Sequence, residues 1–164
     1  MIKPGLDVLF VGINPGRYSA YHGHHFAGPA NRLWPALFGA GFTPRRFTHE
    51  DLPELLDLGL GITNLVDRPS AKADEVTTEE LLEGAKRLRR KIRKYGPKVV
   101  AIVGYTAYRI AFRQPKATGG RQADLEGAAV WLLPNPSGLN AHHPPAKLVE
   151  LFRELRAFCD DDRA

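Results

Sequence analysis

Three short apolar runs, Leu6–Ile13, Lys98–Val103 and Ala128–Leu133, constrain this chain more tightly than anything else in it. Their length and β-branched content read as strands, and each meets a Gly or Pro at its end. They are apolar almost throughout instead of alternating with polar residues, so both faces of each strand need a cover. Helical patterns lie between them. The expected fold is α/β, three layers in the order α/β/α around a central, mostly parallel sheet.

The helical pattern is clearest at Leu81, Leu82, Ala85, Leu88, Ile92 and Tyr95, which share one face of a helix. Thr77 with Glu80 makes a capping box at its start, and Gly96-Pro97 stops it. Shorter helices are expected at Ala30–Phe38 and Leu52–Leu58, and another follows Gly104 with Ala107, Ile110 and Ala111 inward. The last begins near Pro144, a residue suited to a first helical turn, and turns Leu148, Leu151, Phe152, Leu155, Phe158 and Cys159 to the core. Gly61-Ile62 reads as a further short strand, and residues 17–29 and 113–127 read as the long loops.

A chain of 164 residues with 43% apolar and 25% charged side chains suits one domain over residues 1–164, with the acidic tail at 160–164 outside its core. No apolar run approaches the roughly 18 residues of a membrane span, and the N-terminus lacks the basic and apolar regions of a secretion signal. A cytoplasmic protein is expected. Cys159 stands alone, which excludes an intramolecular disulfide and a Cys-x-x-Cys zinc site.

Lys and Arg number 23 against 18 Asp and Glu, a net charge of +5. Lys86, Arg87, Arg89, Arg90, Lys91, Arg93, Lys94 and Lys98 follow one another with no acidic residue among them. That field suits a phosphate-rich partner; a solvated helix face is the alternative.

In open α/β sheets the ligand crevice lies beyond the carboxyl ends of the strands. The candidates are then Asn14-Pro15-Gly16, the stretch from Thr63 to Arg68, Gly104-Tyr105, and the stretch from Pro134 to Gly138. Asn14 sits between Gly12 and Gly16, which permit tight turns and close ligand approach. Its amide has no useful pKa, so it orients a water by hydrogen bonds and does not serve as a strong base. Asp67 is a carboxylate in a strand-end loop: it activates a water or stabilises a cation, or else it pairs with Arg68 or caps a turn.

Four segments occur together: Gly12-Ile13-Asn14-Pro15-Gly16, Ala27-Gly28-Pro29-Ala30-Asn31-Arg32-Leu33-Trp34, Gly61-Ile62-Thr63-Asn64-Leu65-Val66-Asp67-Arg68-Pro69 and Leu133-Pro134-Asn135-Pro136-Ser137-Gly138-Leu139. In that order they resemble the mismatch-specific uracil-DNA glycosylases and the thymine-DNA glycosylases, branches of the uracil-DNA glycosylase superfamily. The resemblance runs from about Leu6 to Phe158. It implies hydrolysis of the N-glycosidic bond of uracil, and of thymine or other modified pyrimidines, mispaired with guanine in double-stranded DNA. The enzyme would be monofunctional, would need no cofactor or metal and would act as a monomer, leaving an abasic site.

On the same resemblance Asn14 positions the water that attacks C1′, and backbone N–H groups around Ile13 and Phe26 face the base oxygens. Phe26 stacks on the flipped base. Ser19 and Ala20 lie near its C5 position, and Asn64 stands where some bacterial relatives carry Lys. The loop Pro134–Asn140, with Asn135, Ser137, Gly138, Leu139 and Asn140, fills the hole left by flipping, Gly138 and Leu139 being the wedge. The mismatch-specific branch has an Arg two residues after the Leu, for the opposite guanine; here the chain has Ala141, with His142 as a substitute.

A metal-dependent hydrolase built on His22, His24 and His25 with His142 or His143 is the rival chemistry, but those residues lack the helical i, i+4 spacing of a zincin and any accompanying Cys. A non-catalytic nucleic-acid-binding module is the other rival. The chain has neither a Gly-x-Gly-x-x-Gly nor a phosphate-loop motif.

Overall fold

Among the described residues five strands form one sheet in the order β2-β1-β3-β5-β4: β1 Val8–Gly12, β2 Leu60–Asn64, β3 Val99–Val103, β4 Gly120–Leu125 and β5 Ala128–Leu133. All neighbours are parallel except β4, which pairs antiparallel with β5. The computed structural model describes residues 1–15, 31–136 and 142–162.

The apolar runs alternate between two cores, as the pleat requires. Val8, Phe10, Val99, Ala101 and Val103 face one side, where α1 (Leu33–Gly39), α2 (Leu52–Asp57) and α5 (Pro145–Asp162) cover them with Leu33, Leu37, Leu55, Leu148 and Phe152. Leu9, Val11, Val100, Ile102 and Val130 face the other, under Leu81, Leu88 and Ile92 of α3 (Thr78–Tyr95) and Ala107 and Tyr108 of α4 (Tyr105–Ala111). Phe10 is fully buried, edge-on to Phe42 at 5.7 Å and stacked on Phe152 at 6.2 Å. Truncating such a side chain to Ala costs about 3–5 kcal/mol. The three-layer α/β reading holds.

Helix ends follow local rules. The Thr77 and Glu80 capping box is formed at the start of α3, and Gly96 caps its end in the left-handed region. Thr48 and Asp51 make a second box on a short 3-10 turn, His49–Asp51, that leads into α2. Asn31 Oδ1 accepts from Leu33 N, the first residue of α1, at 2.8 Å, while Arg32 at the N-cap makes no side-chain capping bond. Helix α5 continues to Asp162, with Cys159 buried and Asp160 and Asp161 exposed on its last turns.

Residues 113–127 are not all loop, because β4 lies among them. Its sequence, Gly-Arg-Gln-Ala-Asp-Leu, is polar because it forms an edge strand with little buried side-chain surface. It joins β5 through Glu126 and Gly127, both at positive φ (49° and 86°), as a two-residue type I′ hairpin loop requires.

Candidate active site

The backbone pairing of β1 with β2 continues beyond the sheet. Leu65 N donates to Gly12 O and Val66 N to Ile13 O, both at 2.9 Å, and Ser70 N donates to Pro15 O at 3.2 Å. Residues 65–70 are thereby fastened alongside residues 12–15, and the half-buried side chain of Asn14 points into that seam.

Asn14 Nδ2 donates to Arg68 O and to Ser70 Oγ, each at 2.8 Å. A carbonyl oxygen can only accept, so the atom facing Arg68 O has to be the nitrogen. Both amide hydrogens are then committed, and the group left to meet a ligand is Oδ1, an acceptor. Ser70 is buried and donates its own proton to Lys72 O at 2.6 Å, which makes its oxygen an acceptor toward Asn14.

Arg68 is held in turn. Its Nε and Nη2 donate to the two carboxylate oxygens of Glu80 at 2.9 and 3.0 Å, and Nη2 also donates to Glu75 O at 2.9 Å. Glu80 accepts from Thr77 N at 3.1 Å as well, so one carboxylate both caps α3 and fixes the turn beside Asn14. The Arg68 hydrogen bond, aided by that backbone N–H, lowers the Glu80 pKa from 4.5 to about 2.

Beyond the ends of β1, β3 and β5 lies a cleft of about 410 Å³. Ile13, Tyr105 and Ile110 give it apolar walls, and Asn135, His142 and His143 add polar groups. Gly104 leaves the space into which Ile13 packs; a Cβ there would stand 2.9 Å from Ile13 Cδ1. The ring of Tyr105 meets that of His143 edge-on at 5.7 Å. Burial, followed by the neighbouring His142 and Lys147, pushes the His143 imidazole below its ordinary pKa.

The structure brings Ile13, Asn14, Asn135 and His142 to this end of the sheet, and pairs Asn64 in register with Gly12. Asp67 is exposed and lines a second groove, together with Glu79, Glu83 and Arg87. The sequence offered Arg68 as its partner, but Arg68 bonds to Glu80 instead. Gly16, Ser19, Ala20, Phe26, Ser137, Gly138, Leu139 and Asn140 lie outside the described residues, as do His22, His24 and His25. Among the described residues no group of His, Cys, Asp and Glu could hold a metal ion.

The basic run of α3 is partly engaged within the chain. Arg87 donates to Leu65 O at 3.0 Å and Lys91 to Thr63 Oγ1 at 2.8 Å, while Arg93 and Lys98 pair with Glu126 and Asp7. Burial lowers the Lys91 pKa.

The family model described as the uracil DNA glycosylase superfamily matches residues 1–156. This chain belongs to the uracil DNA glycosylase superfamily. Uracil DNA glycosylase superfamily members act on DNA as glycosylases, hydrolases of base excision repair, and the five-stranded sheet agrees with that fold. No helix among the described residues is long and apolar enough to cross a membrane.

Ser70 and Arg32 are the residues that sequence reasoning missed. Ser70 carried no signal, since a hydroxyl in a turn is common and its partners, Asn14 Nδ2 and Lys72 O, meet it only once the chain is folded. Arg32 lay inside one of the four segments, but its partners, Pro136 O and His143 O, lie more than a hundred residues along the chain.

Proposed function

We propose that this chain is a monofunctional glycosylase for uracil mispaired with guanine in double-stranded DNA, acting also on thymine or other modified pyrimidines and leaving an abasic site. It works as a single domain and as a monomer. The observation that carries this reading is the fixed polarity of Asn14, whose Oδ1 is the one hydrogen-bonding atom of its amide left for a water.

As the bond between C1′ and the base nitrogen breaks, its electron pair leaves with the base and the sugar becomes oxocarbenium-like. A water that donates one hydrogen bond to Asn14 Oδ1 keeps a lone pair aimed at C1′. Its oxygen forms the new bond, and its proton passes to solvent or to the departing base. Such a cation needs a positioned nucleophile more than a strong base, which is why an amide suffices. Ile13, Gly16, Ser19, Ala20, Phe26 and Asn64 are assigned to the base pocket. Asn135, Ser137, Gly138, Leu139, Asn140 and His142 are assigned to the duplex, with His142 at the opposite guanine. Asp67 is the second catalytic candidate; its place in the groove with Glu79 and Arg87 ranks it behind Asn14.

The test is a duplex with one G·U pair, incubated with the protein and treated with alkali. Strand cleavage at the uracil is expected from wild type, and at least a hundredfold less from Asn14→Ala; wild-type rates in Asp67→Ala would remove Asp67 from the catalytic set. Binding without cleavage would overturn the reading in favour of a damage-binding module. A panel with G·T and 5-substituted pyrimidines separates the narrow substrate range from the broad one.

A further inference from the structure

Arg32 stands just before α1 and reaches both described ends of the β5–α5 connection. Its backbone N donates to Pro136 O at 2.8 Å, where the chain leaves β5, and its Nη1 donates to His143 O at 3.1 Å, where the chain approaches α5. Its own carbonyl accepts from Ala36 N at 3.1 Å, so α1 anchors it. Leu33, Trp34 and Leu37 of α1 are buried in the core. The two gripped positions flank cleft residues: Asn135 adjoins Pro136, and His142 and His143 line the cleft themselves.

We infer that Arg32 is a positioning residue that spaces the two ends of the β5–α5 connection and so sets the wall of the cleft formed by Asn135 and His143. The backbone bond to Pro136 survives any side-chain change, whereas the bond to His143 O is made by the guanidinium. Removing the guanidinium therefore releases the α5 end while the backbone bond keeps the β5 end. The edge-on contact of His143 with Tyr105 loosens, and the ring regains water. Arg32 acts through His143 and Pro136 and not on a reacting atom. A long planar cation suits the task, because a guanidinium has several donors in a fixed fork and loses less freedom per bond than an ammonium.

The consequence for activity rests on the glycosylase reading, in which this connection meets the duplex. Single-turnover uracil release is measured for wild type, Arg32→Ala and Arg32→Lys, on a G·U duplex and on single-stranded uracil DNA. Arg32→Ala is expected to lose roughly tenfold on the duplex and much less on the single strand, and Arg32→Lys to recover part of that loss through its one ammonium donor. In parallel, the His143 imidazole is titrated by NMR. It is expected to titrate below 6.5 in wild type and to move toward 6.5 in Arg32→Ala. A His143 titration unmoved by Arg32→Ala, or equal losses on both substrates, overturns the inference. Arg32→Gln carries the same expectations should Arg32→Ala not fold. A wild-type protein that releases no uracil sinks the glycosylase reading alone, since the His143 titration still tests the clamp.

Discussion

Asn14 Nδ2 lies 2.8 Å from Ser70 Oγ, and the Ser70 proton is given to Lys72 O at 2.6 Å. The hydroxyl is thus polarised by the backbone and acts on the amide only as an acceptor. Ser70→Ala leaves one amide hydrogen of Asn14 without its partner and frees the side chain to turn. A drop of roughly tenfold in the single-turnover rate is expected, with KM for DNA little changed, and Ser70→Thr is expected to restore most of it. Wild-type rates in Ser70→Ala would mean that Arg68 O alone fixes the amide.

Asn14→Asp tests the polarity directly. A carboxylate in this position would set one oxygen against Arg68 O, which cannot donate, so the variant's aspartic acid retains its proton above the ordinary range. The folded pKa is then higher than the unfolded one. The stabilising proton is fully bound below the unfolded value, and its contribution is lost as pH rises through the folded value. Asn14→Asp is expected to be slower than wild type at neutral pH and to become less stable as pH rises, checked by rate measurement and by chemical denaturation at a series of pH values.

Glu80 behaves in the opposite sense. Its pKa falls from 4.5 to about 2 on folding, so the stability it contributes is present above 4.5 and is lost as pH falls toward about 2. Glu80→Gln is expected to flatten the acid limb of the stability profile in that window. It also removes the carboxylate that holds Arg68, so a measurable loss of glycosylase rate at neutral pH should accompany it.

Gly84 in the middle of α3 gives a long-range test. Gly to Ala within a helix ordinarily stabilises by about 1 kcal/mol. Here the new methyl would collide with the carbonyl of Leu65, a backbone atom in the segment that runs alongside β1. The collision outweighs the propensity gain, and Gly84→Ala is expected to lower both the melting temperature and the activity. A melting temperature above wild type would show that the helix can shift without disturbing Asn14.

The layers, most strands and the capped ends of α3 were legible because each rests on a local or periodic signal: continuous apolar runs, the Leu81 to Ile92 stripe, the Thr77 and Glu80 box. Strand β4 was not legible, because an edge strand with exposed side chains lacks the apolar signature that marks its neighbours. At the site, the position of Asn14 at a strand end was readable, but its orientation was not. Orientation depends on Arg68 O and Lys72 O, main-chain atoms whose placement depends on the course of the chain. Arg68 shows the same limit: its acidic neighbour Asp67 was the readable partner, and folding supplied Glu80, twelve residues away.

Two of the three atoms that set the direction of the Asn14 amide belong to the backbone. An alanine scan across residues 67–72 would therefore register Arg68 and Ser70 and leave the carbonyls invisible, since every substitution keeps them. Amide-to-ester replacement, or insertion of one residue into this turn, would reveal what side-chain scanning cannot. The same arrangement gives evolution latitude at Pro69 and Ala71, whose side chains can drift while the reactive group keeps its aim, provided the length of the turn stays the same.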